Sequence, residues 1–140
     1  MKRTATAVWN GSGKDGNGSL TTQSTTLNKT QYSYKSRFEE GVGTNPEELL
    51  AAAHAGCFTM ALAFALQGAG LTAESLETTA TITLDVSGTA PTITTSALVL
   101  KGKVPGVTKE KFLELAKGAE QGCPISRVIK AEITLDATLL

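Results

Sequence analysis

From Leu49 to Leu66 the chain runs for 18 residues without one charged side chain. Just upstream, Asn45-Pro46-Glu47-Glu48 is a helix start. Asn45 can cap, Pro46 suits the first helical position, and the two acids favour the positive end of the helix dipole. Gly68 and Gly70 are stop signals. The predicted helix carries apolar or small residues on every face, interrupted only by His54, Gly56 and Thr59. A helix that is apolar all round has to be covered all round. Its length approaches that of a membrane span. Its many alanines, its histidine and the alternating strands on either side argue for a core helix instead. One domain of 140 residues can cover one or two faces of it. The remainder asks for a second copy, so a homodimer with this helix at or near its interface is expected.

The flanking pattern defines an α+β domain spanning residues 1–140. Ala5, Ala7 and Trp9 alternate with polar neighbours, and a glycine-rich turn follows from Gly11 to Gly18. A Thr-rich stretch, Leu20 to Leu27, and a second strand through Tyr32, Tyr34 and Ser36 complete a meander. Beyond the central helix, Leu76, Ala80, Ile82, Leu84 and Val86 keep a two-residue period, and Thr92 to Val104 returns. Thr108 caps a helix from about Lys109 to Glu120, with Phe112, Leu113, Leu115, Ala116 and Ala119 as its apolar stripe. Gly122-Cys123-Pro124 breaks it, Ile125 to Ile129 fits a short helical turn or two, and Ala131 to Leu139 alternates as an edge or closing strand. The predicted order is βββ-α-ββ-α-α-β.

Charge narrows the function. Thirteen basic residues balance thirteen acidic ones, unlike the basic excess of a nucleic-acid binder. The N-terminal MKRTATAVWNG lacks the apolar core of a signal peptide, which points to the cytoplasm or another reducing compartment. Two cysteines are too few for a disulfide scaffold.

Those cysteines are the chemistry candidates. Cys57 lies in the middle of the greasy helix, beyond useful reach of the helix dipole, among Phe58, Met60 and Ala61. Such neighbours raise a thiol's pKa, so reactivity needs a cation from elsewhere. Taken alone, Cys57 reads as a small core hydrophobe. Cys123 falls at a helix break, where a thiol is expected to be more exposed and movable. Spacing alone leaves the two as unrelated thiols or as a peroxidatic and a resolving cysteine. Arg37, in Ser36-Arg37-Phe38-Glu39, offers a permanently charged fork of donors. Lys35, Arg3 and Arg127 are less well placed. Glu47 is either a first-turn dipole partner or the carboxylate that orients Arg37, and Glu48 competes for both roles. Glu47 and Cys57 stand ten residues apart on one helix, about 15 Å along its axis. They meet only if the carboxylate comes from another copy. His54, the only histidine, shares a face with Cys57; a metal site would need His54, both thiols and a glutamate together, and a polar contact near a pocket or interface is the simpler reading.

The segment Asn45-Pro46-Glu47-Glu48-Leu49-Leu50-Ala51-Ala52-Ala53-His54-Ala55-Gly56-Cys57-Phe58 closely resembles the central helix of the OsmC/Ohr family of thiol peroxidases, in its osmotically inducible protein C branch. The similarity extends to Arg37-Phe38-Glu39, to Gly122-Cys123-Pro124-Ile125-Ser126, and to Lys130 through Asp136. It implies an intertwined homodimer with antiparallel sheets wrapped around two central helices. It implies catalytic roles for Cys57, Cys123, Arg37 and Glu47, at a site shared between chains. The implied activity is reduction of hydroperoxides, organic ones preferred over hydrogen peroxide, through a Cys57 sulfenic acid and a Cys57–Cys123 disulfide. No bound cofactor is implied. An external dithiol, a lipoyl group on a partner protein in the Ohr branch, would restore the thiols. The rival readings are a non-enzymatic redox sensor or stress-binding dimer and an inert structural dimer.

Overall fold

A computed structural model describes residues 1–140 as two compact units, Met1–Leu49 and Leu50–Leu140. In the first, β1 (Ala5–Asn10), β2 (Asn17–Thr22) and β3 (Thr30–Tyr32) form an antiparallel sheet in that order. The Thr-rich strand is shorter than its composition suggests. It ends at Thr22, whose hydroxyl accepts from the Leu27 N–H at 3.1 Å and so closes a turn. The expected strand through Tyr34 and Ser36 is also corrected. Only three residues pair in β3, and a short helix, α1 (Tyr34–Phe38), follows. A reciprocal capping box starts it. Ser33 Oγ accepts from the Ser36 N–H at 3.1 Å, and Ser36 Oγ accepts from the Ser33 N–H at 2.8 Å. Both donors would otherwise lack partners at a helix start, so the serines favour the helix over a continued strand.

The long helix α2 (Pro46–Gly68) begins as read, with Asn45 Oδ1 accepting from the Glu48 N–H at 2.8 Å. It ends in a Schellman motif. The Leu71 N–H reaches the Leu66 carbonyl at 2.9 Å and the Gly70 N–H reaches that of Gln67 at 3.0 Å. Gly70 has φ +74°, which is why glycine is needed there.

The second unit holds a sheet of β4 (Ser75–Asp85), β5 (Thr92–Lys103) and β6 (Glu132–Leu139), in that order. β4 and β5 are an antiparallel hairpin with an irregularity at Thr83/Leu84. β6 lies at the edge, parallel to β5. A parallel neighbour needs a crossover, and α3 (Lys109–Gly122) supplies it. Thr108 Oγ1 caps α3 by accepting from the Lys111 N–H at 3.2 Å. Cys123 is its C-cap, with its N–H on the Ala119 carbonyl at 2.9 Å. The segment Ile125–Ile129 forms hydrogen-bonded turns rather than a further helix. The element order is thus βββ-αα-ββ-α-β, with one helix more upstream and one fewer downstream than predicted.

The core of this unit gathers Phe58, Leu62 and Leu66 from α2, Leu98 and Leu100 from β5, and Phe112, Ala116, Ala119 and Cys123 around α3. Gly102 lets α3 approach, because a Cβ there would overlap the Phe112 ring. Within the chain α2 is not covered all round. Its buried side runs through His54, Phe58, Leu62 and Leu66. Ala52, Gly56, Met60 and Phe64, two residues out of step, are exposed, Met60 by 61% and Phe64 by 67%. Leu62 is fully buried, so Leu62→Ala is expected to lower the unfolding free energy by about 3 kcal/mol. Denaturant titration measures this; a loss within experimental error would contradict the assigned core.

Candidate active site

Arg37 and Glu47 are brought together within the first unit. Arg37 occupies the last turn of α1 and Glu47 the first turn of α2. Arg37 Nη2 donates to Glu47 Oε1 at 2.7 Å, and Arg37 Nε donates to Oε1 and Oε2 at 3.1 and 3.2 Å. The planar guanidinium thus meets the carboxylate along one edge. Two further bonds hold the pieces in place: Asn45 Nδ2 donates to the Ser36 carbonyl at 3.0 Å, and Ser36 Oγ donates to that of Thr44 at 2.8 Å. Glu48, the competitor for Arg37, instead accepts from Thr44 Oγ1 at 3.1 Å. The Arg37 side chain stays 37% exposed, so the pair adds little stability. Its effect is directional, since it fixes where the remaining guanidinium donors point. Trp9, Tyr32, Tyr34, Phe38 and Pro46 wall a hollow of 120 Å³ beside Arg37.

In the second unit Cys57 and Cys123, 66 residues apart, stand with sulfurs 2.8 Å apart, share a hydrogen bond and remain unbridged. Their exposure reverses the expectation from sequence. Cys123 at the helix break is fully buried in the core cluster with Phe112, Ala116 and Ala119, whereas Cys57 on α2 is only part-buried. Burial and then the hydrogen bond to Cys123 push the Cys57 thiol up. Burial also acts against a Cys123 thiolate, but more donors offset it. The Cys57 thiol, the Ser126 N–H and hydroxyl and the Ile125 N–H together hold the Cys123 thiol below its ordinary value. Cys57 is therefore the more accessible of the two sulfurs, and Cys123, which donates to it, is the buried one.

His54 is fully buried within the chain. Its Nδ1 stands 2.7 Å from Ser96 Oγ and its Nε2 stands 2.8 Å from Ser126 Oγ. Both ring nitrogens are engaged by serine hydroxyls. No three His, Cys, Asp or Glu side chains gather as a metal cluster. Ser96 and Ser126 went unread in the sequence as site residues. The signal for Ser126 is its place three residues after Cys123, where a hydroxyl and an N–H meet the start of a turn.

Two unbridged thiols in contact, one part-exposed and one buried, are the arrangement of a dithiol pair able to close into a disulfide. The chain belongs to the OsmC-like protein family, whose model matches residues 39–138. It is 47% identical over 133 residues to Peroxiredoxin OsmC of Escherichia coli (strain K12), covering 95% of this chain and 93% of that one. It is 34% identical to the organic hydroperoxide resistance protein of Xanthomonas axonopodis pv. citri, over 71% of this chain and 68% of that one. The crystal structure of the organic hydroperoxide resistance protein OhrB of Bacillus subtilis superposes with a TM-score of 0.71 at 25% identity, over 98% of both chains.

Burial lowers the pKa of His54, with the Glu120 carboxylate acting in the opposite sense. In the unfolded chain a histidine takes up its proton near pH 6.5, while folded His54 still resists it. Acidification below that value therefore favours unfolding, at up to about 1.4 kcal/mol per pH unit from this one group. Unfolding titrations between about pH 7 and pH 5 should show His54→Gln losing less stability than the parent. An equal loss in both would contradict the buried neutral imidazole.

Proposed function

We propose that this protein is a thiol peroxidase that reduces organic hydroperoxides, and hydrogen peroxide less well, to alcohols in defence against oxidative and osmotic stress. The observation that carries this reading is the 2.8 Å contact between an accessible Cys57 and a buried Cys123. The names of its relatives, a peroxiredoxin and organic hydroperoxide resistance proteins, support it.

The Cys57 thiolate attacks the terminal oxygen of the hydroperoxide. The O–O bond breaks, the alkoxide leaves and is protonated to an alcohol, and Cys57 becomes a sulfenic acid. Cys123 displaces the sulfenic oxygen as water and closes the disulfide. A dithiol reductant of the lipoyl type reopens it by thiol–disulfide exchange. Because burial opposes the Cys57 thiolate, a cation has to compensate. Arg37, aimed by Glu47, is suited to this and can also hold a peroxide oxygen.

The cation comes from a second copy in this reading. The exposed stripe of Ala52, Gly56, Met60 and Phe64 is free of charge, lies opposite the buried side of α2, and calls for a cover of equal character. A Cβ at Gly56 would meet nothing within the chain, so a neighbouring backbone can come close there. A homodimer packed on α2 would bring Arg37 and Glu47 of one copy to Cys57 of the other. It would also give the thiol apolar walls that favour organic substrates. The cytoplasm, where thiols stay reduced, is the compartment we propose.

In a hydroperoxide-consumption assay with a dithiol, Cys57→Ser should abolish turnover. Cys123→Ser should permit one oxidation per chain and then stall, with a sulfenic acid trapped on Cys57. Full turnover by Cys57→Ser would refute the mechanism. A single slow oxidation of the parent protein, without multiple turnover, would favour the redox-sensor reading.

A further inference from the structure

Of the chain's one Trp, two Tyr and four Phe, the Trp, both Tyr and Phe38 gather in the first unit around the 120 Å³ hollow beside Arg37. None of these four belongs to the buried core. Local sequence builds the gathering. Trp9 on β1, Gly18 on β2 and Tyr32 on β3 stand in one cross-strand row. A Cβ at Gly18 would overlap both rings, so glycine lets them close over the middle strand, with ring centres 5.3 Å apart at 58°. Tyr34 and Phe38 lie one turn apart on α1, and their rings meet at 4.9 Å and 43°. Trp9, Tyr32 and Tyr34 are only half-buried and Phe38 is 37% exposed, so ring surface is left facing the hollow.

We propose that this hollow is the subsite for the organic group of the hydroperoxide and that it takes a single aryl ring, with Trp9, Tyr32, Tyr34 and Phe38 as the residues that set this specificity. The inference rests on the peroxidase reading for its place in turnover, but ring binding itself does not. Arg37 links the two. Its guanidinium carbon lies 5.0 Å from the centre of the Phe38 ring. Its Nε and Nη2 are taken by Glu47, which leaves Nη1 to hold a peroxide oxygen. A hydroperoxide held there has its organic group beside the hollow. Size and wall chemistry then select that group. The 120 Å³ of the hollow is on the scale of the about 150 Å³ apolar cavity that takes a benzene, and so matches one ring. Tilted rings on the walls offer edge and face partners to an aryl group that an alkyl group cannot use. Charge excludes the other ligand that aromatic walls attract, a quaternary ammonium. Lys14 Nζ stands 6.0 Å from the centre of the Tyr34 ring and Arg37 lines the hollow, so two cations already face these rings and repel a third.

Trp9 is the only tryptophan, so its emission reports on the hollow directly. In full-length Cys57→Ser, titration with cumyl alcohol, an unreactive aryl alcohol, should change Trp9 emission saturably. tert-Butanol, which lacks the ring, should give no saturable change over the same range. Phe38→Leu and Tyr34→Leu keep an apolar side chain without a ring, and each should weaken cumyl alcohol binding by about tenfold. With both cysteines present, each should also lower the ratio of kcat/KM for cumene hydroperoxide over that for tert-butyl hydroperoxide by about tenfold. If one variant fails to fold, the other variant and the titration of Cys57→Ser carry the test. No saturable response to cumyl alcohol, an equal response to tert-butanol, or an unchanged ratio in a folded variant would overturn the proposal. So would a Trp9 emission that follows protein concentration and not ligand, which would put a second copy in the hollow. Saturable cumyl alcohol binding, in a protein whose parent fails to turn over hydroperoxide, would uphold the aryl site and refute the peroxidase reading alone.

Discussion

The helix α2 has to satisfy two environments with one charge-free surface. Its residues from Leu49 to Leu66 hold no side chain that prefers water strongly, so no rotation of the helix offers a polar face to solvent. The chain covers the stripe through His54, Phe58, Leu62 and Leu66 with its own sheet and α3. It leaves Met60 and Phe64 bare. Cys57 lies between the two stripes, part-buried, with the buried Cys123 thiol in contact with it. In the proposed homodimer this asymmetry puts the thiol at the edge of the surface that a second copy would cover.

The two thiols divide their work by burial and by donors. Cys123 is fully buried and its sulfur donates to that of Cys57 at 2.8 Å. Cys57 has little help from within the chain against the cost of its surroundings. A peroxide can reach only the accessible sulfur. In the proposed mechanism Cys57 is the nucleophile, Cys123 resolves it, and the charge that activates Cys57 is delivered from a second copy. The 2.8 Å contact suits a peroxidase, since a Cys57 sulfenic acid without a partner at hand would be open to further oxidation.

Features set by local chemistry were legible in the sequence. Asn45 and Thr108 cap their helices because a side-chain oxygen at that position meets an unpaired N–H whatever the fold. The alternation in Leu76–Val86 and Ala131–Leu139 marks strands for the same local reason, though it cannot tell a parallel neighbour from an antiparallel one. The pairing of Arg37 with Glu47 was open to inference because only a loop and one helix turn separate them. The helix α1 was missed because Tyr32, Tyr34 and Ser36 imitate a two-residue period and its capping box uses two serines instead of a serine and an acid. The burial of Cys123 and the bonds of His54 were not legible. Their partners lie 66, 42 and 72 residues away, and only tertiary packing brings them together.

The shared site is tested most directly by complementation between two inactive chains. Arg37→Ala and Cys57→Ser, carrying different tags and co-expressed, can be purified as mixed dimers. If Arg37 of one copy activates Cys57 of the other, each mixed dimer contains one complete site and hydroperoxide turnover returns. If the mixed dimers are as inactive as the two parent variants, the cation is not delivered across the interface and the account of Cys57 activation fails.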